Sequence, residues 1–100
     1  MEGVKVFGFG SFFAQFPILP RDIDLLVIHR SIDKQSCGFA TACKYLILQA
    51  LPTADVVLLS EQEAEGNKFI ARSGAVPLGY IWEEGIDEQI KALVNVIQAY

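Results

Sequence analysis

The fold is decided by residues 8–28, Gly-Phe-Gly-Ser-Phe-Phe-Ala-Gln-Phe-Pro-Ile-Leu-Pro-Arg-Asp-Ile-Asp-Leu-Leu-Val-Ile. The β-type run of residues 4–9 ends at Gly10-Ser11, and ten residues later a branched-chain run occupies residues 22–28. Pro17 and Pro20 interrupt the intervening segment, which predicts a loop. The stretch therefore predicts two consecutive strands, joined by a short helical turn over residues 11–15 and that loop.

A long helix is predicted after the second strand. Asp33 or Ser36 can cap its start, and Pro52 follows its expected end near residue 50. Its apolar residues recur at helical spacing: Phe39, Cys43, Leu46, Ile47 and Ala50. Residues 55–59, Asp-Val-Val-Leu-Leu, then predict a short buried strand.

The last forty residues predict two more helices around an edge strand. Ser60 and Glu63 have the spacing of a capping box, so a helix is expected from there to about residue 72, closed by Gly74. Residues 76–82 predict an edge strand, because Pro77 cannot donate a hydrogen bond inside a sheet. The final helix is expected over residues 87–100, with one apolar face formed by Ile86, Ile90, Leu93, Val94 and Ile97.

The alternation of strands and helices predicts one α/β (α+β) domain over residues 1–100, with a small mixed β-sheet flanked by helices. Of the 100 residues 52% are hydrophobic, and the net charge is −4 with a pI near 4.8. An acidic chain disfavours non-specific nucleic-acid binding. No apolar stretch approaches the roughly 20 residues that span a bilayer, and the first residues lack a signal-peptide pattern. A cytoplasmic protein without membrane contact is therefore expected.

The cysteines and the single histidine have ordinary interpretations. Cys37 and Cys43 face different directions on the predicted helix, so a mutual disulfide is disfavoured, and both are expected to be buried small hydrophobic residues. His29 lies at the end of a predicted strand, where an ordinary surface histidine is expected. One histidine and two cysteines at this spacing do not indicate a structural zinc site.

Acidic residues at the starts of two predicted strands are the candidate metal ligands. A strand has a period of two, so Asp22 and Asp24 project from the same face with Cα atoms about 7 Å apart. Asp55 begins the next strand along the chain. Carboxylates from neighbouring strands form an oxygen cage suited to Mg²⁺ or Mn²⁺, and two such ions stabilise an in-line displacement at phosphorus.

Gly10 and Ser11 supply the matching phosphate site. Glycine lets the backbone approach a ligand closely. If Ser11 opens a helical turn, its hydroxyl and the free N–H groups of the turn bind the β- and γ-phosphates of a nucleotide. A dinucleotide fingerprint is disfavoured, because Phe13 stands where its third glycine is required.

Gly10-Ser11, ten residues and then Asp22-Ile23-Asp24 together resemble the signature of the DNA polymerase beta-like nucleotidyltransferase superfamily, in particular its minimal nucleotidyltransferases. The likeness continues through Asp55-Val-Val-Leu-Leu-Ser to the region of Phe69 and Gly74. The resemblance implies that Asp22, Asp24 and Asp55 are catalytic and bind Mg²⁺ or Mn²⁺. It also implies that Gly10 and Ser11 hold the triphosphate of ATP or another NTP.

The resemblance also bears on partners. Some members of the family pair with a small helical HEPN-type toxin and act as its antitoxin, and a homodimer is the other option. Many relatives carry arginine and a further glycine soon after the Gly-Ser pair, where this chain has residues 12–16, Phe-Phe-Ala-Gln-Phe. A positively charged side chain for the phosphates would then be Arg21, Lys5 or Lys44, or would be absent. The alternative function is therefore a catalytically weak or inactive nucleotide-binding interaction module.

The apolar segment of residues 12–19 has two interpretations. Phe12, Phe13, Phe16, Ile18 and Leu19 either fold over the core of the domain or form a surface for a partner or a second copy.

Overall fold

The computed structural model describes residues 1–14 and 22–100. The strands are β1 (Gly3–Phe9), β2 (Asp24–His29), β3 (Asp55–Ser60) and β4 (Val76–Trp82). The helices are α1 (Ser11–Ala14), α2 (Lys34–Ala50), α3 (Glu61–Gly66), α4 (Phe69–Ser73) and α5 (Ile86–Gln98). The strands form one mixed sheet in the order β3-β2-β1-β4, so the predicted class, a small mixed sheet flanked by helices, is confirmed.

The central position of β2 sets the geometry of the sheet. It pairs antiparallel with β1, where Phe9 faces Asp24, and parallel with β3, where Asp24 faces Asp55. Parallel neighbours need a crossover connection, and α2 provides it. The fourth strand pairs antiparallel with β1 and forms an edge of the sheet, as Pro77 predicts.

The two faces of β2 belong to different hydrophobic clusters. Leu25 and Val27 lie in the larger core, together with buried residues of α2 and α5. Leu26 and Ile28 face the other way and pack with Ala64 and Phe69 of the short helices α3 and α4. We call the side of the sheet that carries Leu26 and Ile28 the second face.

One predicted helix is in fact two. The capping box of Ser60 and Glu63 is present, and Gly74 ends the segment with φ +66°, as predicted. Between them the helix stops at Gly66, and Lys68 adopts a left-handed φ of +54° before α4 begins. Glycine followed by asparagine is a weak helix sequence, which explains why one continuous helix to residue 72 does not form.

Three local expectations are corrected or decided. Asp33, not Ser36, caps α2, since its carboxylate accepts the Ser36 N–H at 2.9 Å. His29 is 5% exposed rather than on the surface, because its Nδ1 donates to the Ser31 carbonyl oxygen at 2.8 Å and so satisfies a buried ring nitrogen. Cys43 is buried as expected, whereas Cys37 is only half-buried.

Within residues 1–14 and 22–100, none of the helices has the length and apolar character needed to cross a membrane.

The position of the helical turn α1 is fixed by the packing of its Phe13 side chain. The ring of Phe13 is buried and lies where a Cβ on Gly8 would be, at 2.5 Å from the nearest ring atoms. The same ring packs edge-to-face against Tyr100, with centroids 5.0 Å apart. Of the apolar segment 12–19, Phe12 and Phe13 therefore pack on the core, while Phe16, Ile18 and Leu19 lie outside the described residues.

We expect Gly8→Ala to destabilise the protein by about 1–3 kcal/mol, because the added methyl group must displace the Phe13 ring. Gly38→Ala is the matched control, since its Cβ meets nothing within 4 Å and alanine favours the helix by about 0.5–1 kcal/mol. Urea unfolding of both variants measures the two changes. Equal stability of the two variants would contradict the packing of Phe13 on Gly8.

Candidate active site

Asp24 and Asp55 are neighbours at one end of the sheet. They are register partners on the parallel strands β2 and β3. Adjacent strands lie about 4.8 Å apart and register partners share a face, so the two carboxylates project side by side from the second face. The Asp55 N–H donates to the carbonyl oxygen of Ile23 at 2.8 Å, which extends the pairing one residue beyond the strand.

Asp22 precedes β2 and is exposed. Ile23 packs against the larger core, which leaves Asp22 and Asp24 directed towards the opposite side. Burial raises the pKa of Asp24 above its ordinary value, and the negative charges of Asp55 and then of Asp22 raise it further. All three causes act in the same direction, so among the described residues burial and two negative charges favour the protonated form of Asp24.

Gly10 brings the backbone against this carboxylate. Its φ is +79°, a conformation that favours glycine, and a Cβ at this position would lie 2.5 Å from Oδ2 of Asp24. The next residue, Ser11, is exposed and begins α1, whose turn is closed by the Ala14 N–H donating to the Gly10 carbonyl oxygen at 3.2 Å. The predicted Gly-Ser turn and the predicted carboxylates therefore meet at the same end of the sheet.

The proposed cationic residues are not at this end where the structure describes them. Lys5 lies on the second face but towards the far end of β1, where its ammonium group is 3.4 Å from a carboxylate oxygen of Glu61. Lys44 lies on α2, the helix that packs on the opposite face. Arg21 lies outside the described residues.

Across the described ranges, 1–14 and 22–100, no three His, Cys, Asp or Glu side chains are close enough together to hold a metal ion by themselves. Binding of a metal ion by Asp22, Asp24 and Asp55 thus stays a prediction. Asp24 and Asp55 are neighbours in the sheet, and the charge of Asp22 contributes to the raised pKa of Asp24.

The residues present fit Mg²⁺ when a nucleotide completes its coordination. In nucleotide-dependent enzymes Mg²⁺ is usually bound by one or two carboxylates together with phosphate oxygens. Asp24 and Asp55 offer only oxygen donors, which this hard cation prefers. The repulsion that raises the pKa of Asp24 is also what a divalent cation would relieve.

Gly8 and Phe13 are positioning residues that the sequence pattern did not reveal. In the sequence, Gly8 and Gly10 match only the first two glycines of a dinucleotide fingerprint, which Phe13 interrupts. Its burial on the core side of β1 makes room for the Phe13 ring, and that ring holds α1 in place next to Gly10. The only signal in the sequence is a glycine at a position of β1 where the alternation calls for a large apolar side chain.

Comparison with known proteins does not assign the chain to a family. No protein-family model, no curated protein and no solved structure matches it. The resemblance to the nucleotidyltransferases therefore depends on the residues of this chain alone, that is, on Gly10, Ser11 and the three aspartates.

We expect Asp24→Asn to raise the stability of the protein at pH 7. Because the pKa of Asp24 is raised in the folded state, the fold favours the protonated carboxyl group over the charged one. The protein is therefore not destabilised by Asp24 below the unfolded pKa of about 3.9, and it loses stability as pH rises through the folded pKa. Asparagine removes the charge at every pH. The gain should therefore shrink as pH falls from 7 towards 4, which thermal unfolding across that range measures.

Asp87→Asn is the control for this measurement. Asp87 lies in the first turn of α5, where a negative charge stabilises the helix, so its loss should lower stability at pH 7. A wild-type protein that is more stable than Asp24→Asn at pH 7 would contradict the raised pKa of Asp24 in the folded state.

Proposed function

We propose that the protein is a Mg²⁺-dependent nucleotidyltransferase, which transfers a nucleoside monophosphate from an NTP, with ATP the first candidate, to a hydroxyl acceptor and releases pyrophosphate. One observation carries the proposal. Asp24 and Asp55 stand in register on adjacent strands, and the backbone of Gly10 lies against the Asp24 carboxylate. This arrangement supports a phosphate-binding turn and a divalent cation within one small site.

Each residue has a role in the proposed reaction. Asp22 and Asp24 would hold Mg²⁺, which when bound neutralises the triphosphate and polarises the phosphorus–oxygen bonds. The Gly10 backbone and the Ser11 hydroxyl would bind the β- and γ-phosphates and orient the leaving pyrophosphate. Asp55 is exposed beside Asp24, so its carboxylate would complete the metal site and orient the acceptor hydroxyl or accept its proton.

The raised pKa of Asp24 has a functional consequence. Binding of a divalent cation requires the ionised carboxylate, so protons compete with the cation at this residue. As pH falls, the proposed activity should therefore begin to decline at a higher pH than the one at which an isolated aspartate becomes protonated.

Asp24→Ala should lower transfer from α-labelled ATP by at least about a hundredfold, because it removes a carboxylate from the proposed metal site. The measurement is incorporation of label into the chain or into material that copurifies with it, with unfolding curves to show that the variant is folded. Asp87→Ala, on the helix that packs against the other face, is the control and should retain activity. Undiminished transfer by Asp24→Ala would refute the assignment.

Gly10→Ala should weaken binding of Mg²⁺-ATP by about tenfold or more, because its Cβ would collide with Asp24 Oδ2. Gly74→Ala is a matched control, since Gly74 also has a positive φ, of +66°, but open space around it. Both variants carry similar backbone strain, so calorimetry with Mg²⁺-ATP isolates the effect of the site. Equal affinities in the two variants would count against a nucleotide at Gly10.

A second candidate function is a nucleotide-binding interaction module, with little or no turnover, that acts through a protein partner or a second copy. The specific observation in its favour is the exposure of the large apolar side chains Met1, Ile32, Tyr80 and Trp82. The two functions differ in one result. Binding of Mg²⁺-ATP without transfer of label to any copurified partner favours the module, whereas label on the partner favours the enzyme.

A further inference from the structure

The two edges of the sheet differ in their protection against pairing with another strand. On β4, Pro77 has no backbone N–H, and the register against β1 shifts between Val6 and Phe7. Farther along β4, the side-chain amide of Gln89 accepts the Trp82 N–H at 2.8 Å and donates to the Trp82 carbonyl oxygen at 3.1 Å. Features of this kind keep an edge strand from pairing with another chain. The β4 edge is therefore protected.

The opposite edge, formed by β3, is apolar and regular. Residues 56–59 are Val-Val-Leu-Leu, and the strand contains no proline, no lysine and no shift of register against β2. Three of these four apolar residues are only half-buried. After β3 the chain crosses the second face, where Ala64 packs on β2 and Phe69 packs edge-to-face on Phe9 of β1. The helices α3 and α4 thus lead from β3 towards β1, away from this edge.

The backbone groups on the outer side of β3 follow from its pairing with β2. The Asp55 N–H donates to the Ile23 carbonyl oxygen at 2.8 Å, so the backbone groups of Asp55 point towards β2. In a parallel pair every second residue does the same, which places the N–H and C=O groups of Val56 and Leu58 on the outer side. Residues 1–14 and 22–100 supply no hydrogen-bond partner for these groups. The edge is therefore open in the described part of the chain.

The β3 strand of a second copy matches these outward groups. In an antiparallel pair around a two-fold axis at Val57, Val56 of each copy faces Leu58 of the other, and the two residues exchange both of their hydrogen bonds. All outward groups of Val56 and Leu58 are then satisfied in both copies. An axis at Leu58 would instead require Ser60, whose N–H already donates to the Glu63 carboxylate at 2.9 Å. The geometry therefore favours the axis at Val57.

The side chains of β3 also fit a second copy. A two-fold axis perpendicular to the sheet keeps the same face of both copies on the same side, so Val57 contacts Val57 of the other copy on the second face. Asp55 is the only charged residue of β3, and it would oppose Leu59 of the other strand instead of another carboxylate. The two Asp55 residues would be about 13 Å apart along the strands. The strand therefore brings complementary backbone groups, apolar contacts and no opposed like charges.

We propose that the protein forms a symmetric dimer, in which the β3 strands of two copies pair antiparallel around Val57 and join the two sheets into one. This occupant is favoured over a strand of another protein because β3 itself carries the matching pattern on both of its faces. The inference does not depend on the proposed nucleotidyltransferase activity. It places Asp55 of each copy beside the interface and both proposed sites on the same face of the joined sheet.

The first test is the mass of the full chain in solution, measured by sedimentation velocity without nucleotide or metal. We expect a concentration-dependent species with twice the monomer mass of 11.0 kDa. Val57→Lys should weaken dimerisation by about tenfold or more, because it places two ammonium groups directly opposite each other. Urea unfolding shows whether this variant is folded.

Tyr80→Lys is the matched control for the added charge. The ring of Tyr80 is exposed on the second face, where it stacks on Trp82 of the protected edge strand β4. The substitution adds the same charge to the same face at the other edge of the sheet, so it should leave the dimer intact.

A cysteine at the two-fold axis tests the register of the strands. In a Cys37→Ser background, oxidation should link two chains of Val57→Cys, because opposed residues of a non-hydrogen-bonded pair have Cα atoms about 4.5 Å apart, within disulfide range. Leu59→Cys is the control on the same strand and face, since its Cα atoms would lie about 13 Å apart across the dimer. The remaining Cys43 is buried.

Three results would overturn the proposal. The first is a wild-type chain that stays monomeric up to about 1 mM. The second is loss of the dimer in Tyr80→Lys to the same extent as in Val57→Lys, which would place the interface elsewhere or make it depend on net charge alone. The third is oxidation that links Leu59→Cys as efficiently as Val57→Cys, which would exclude the axis at Val57.

Discussion

The parallel pairing of β2 with β3 is the constraint on which the site depends. Leu25 and Val27 fill the larger core, while Leu26 and Ile28 fill the smaller one, so a shift of one residue would turn every one of these side chains to the wrong face. Hydrophobic burial thus fixes the register, and the register places Asp24 beside Asp55. The apolar core thus holds two carboxylates side by side, and burial, followed by the negative charge of Asp55, raises the pKa of Asp24.

The larger hydrophobic core and the aspartates lie on opposite faces of the sheet. One face is covered by α2 and α5 and contains the larger core. The second face carries the aspartates at one end and the Tyr80–Trp82 pair at the other, with β1 running between them. Both faces of β2 are thus buried along its middle, and the aspartates project from the end of the strand beyond the smaller cluster.

Much of this architecture is encoded locally. Period-two runs, the Ser60–Glu63 capping box and Pro77 at a sheet edge predict elements that the structure contains, and the spacing from Gly10 to Asp24 predicts their proximity. The rest depends on tertiary context. The burial of His29 depends on a hydrogen bond to the loop that follows it. The position of Phe13 depends on the space above Gly8 and on Tyr100, which is distant in sequence. Neither contact has a periodic signal in the sequence. No pattern in the sequence marks Gln89 as the cap of an exposed strand edge.

The most direct measurement of the central claim is paramagnetic broadening of backbone amide signals by Mn²⁺ in the presence of ATP. If Asp24 and Asp55 hold a divalent cation beside the Gly10–Ser11 turn, the amides of Gly10, Ser11, Asp24 and Asp55 should broaden first and together. The amide of Trp82, about 20 Å away along the sheet, should broaden far less. Broadening centred elsewhere, or uniform across the chain, would contradict the account.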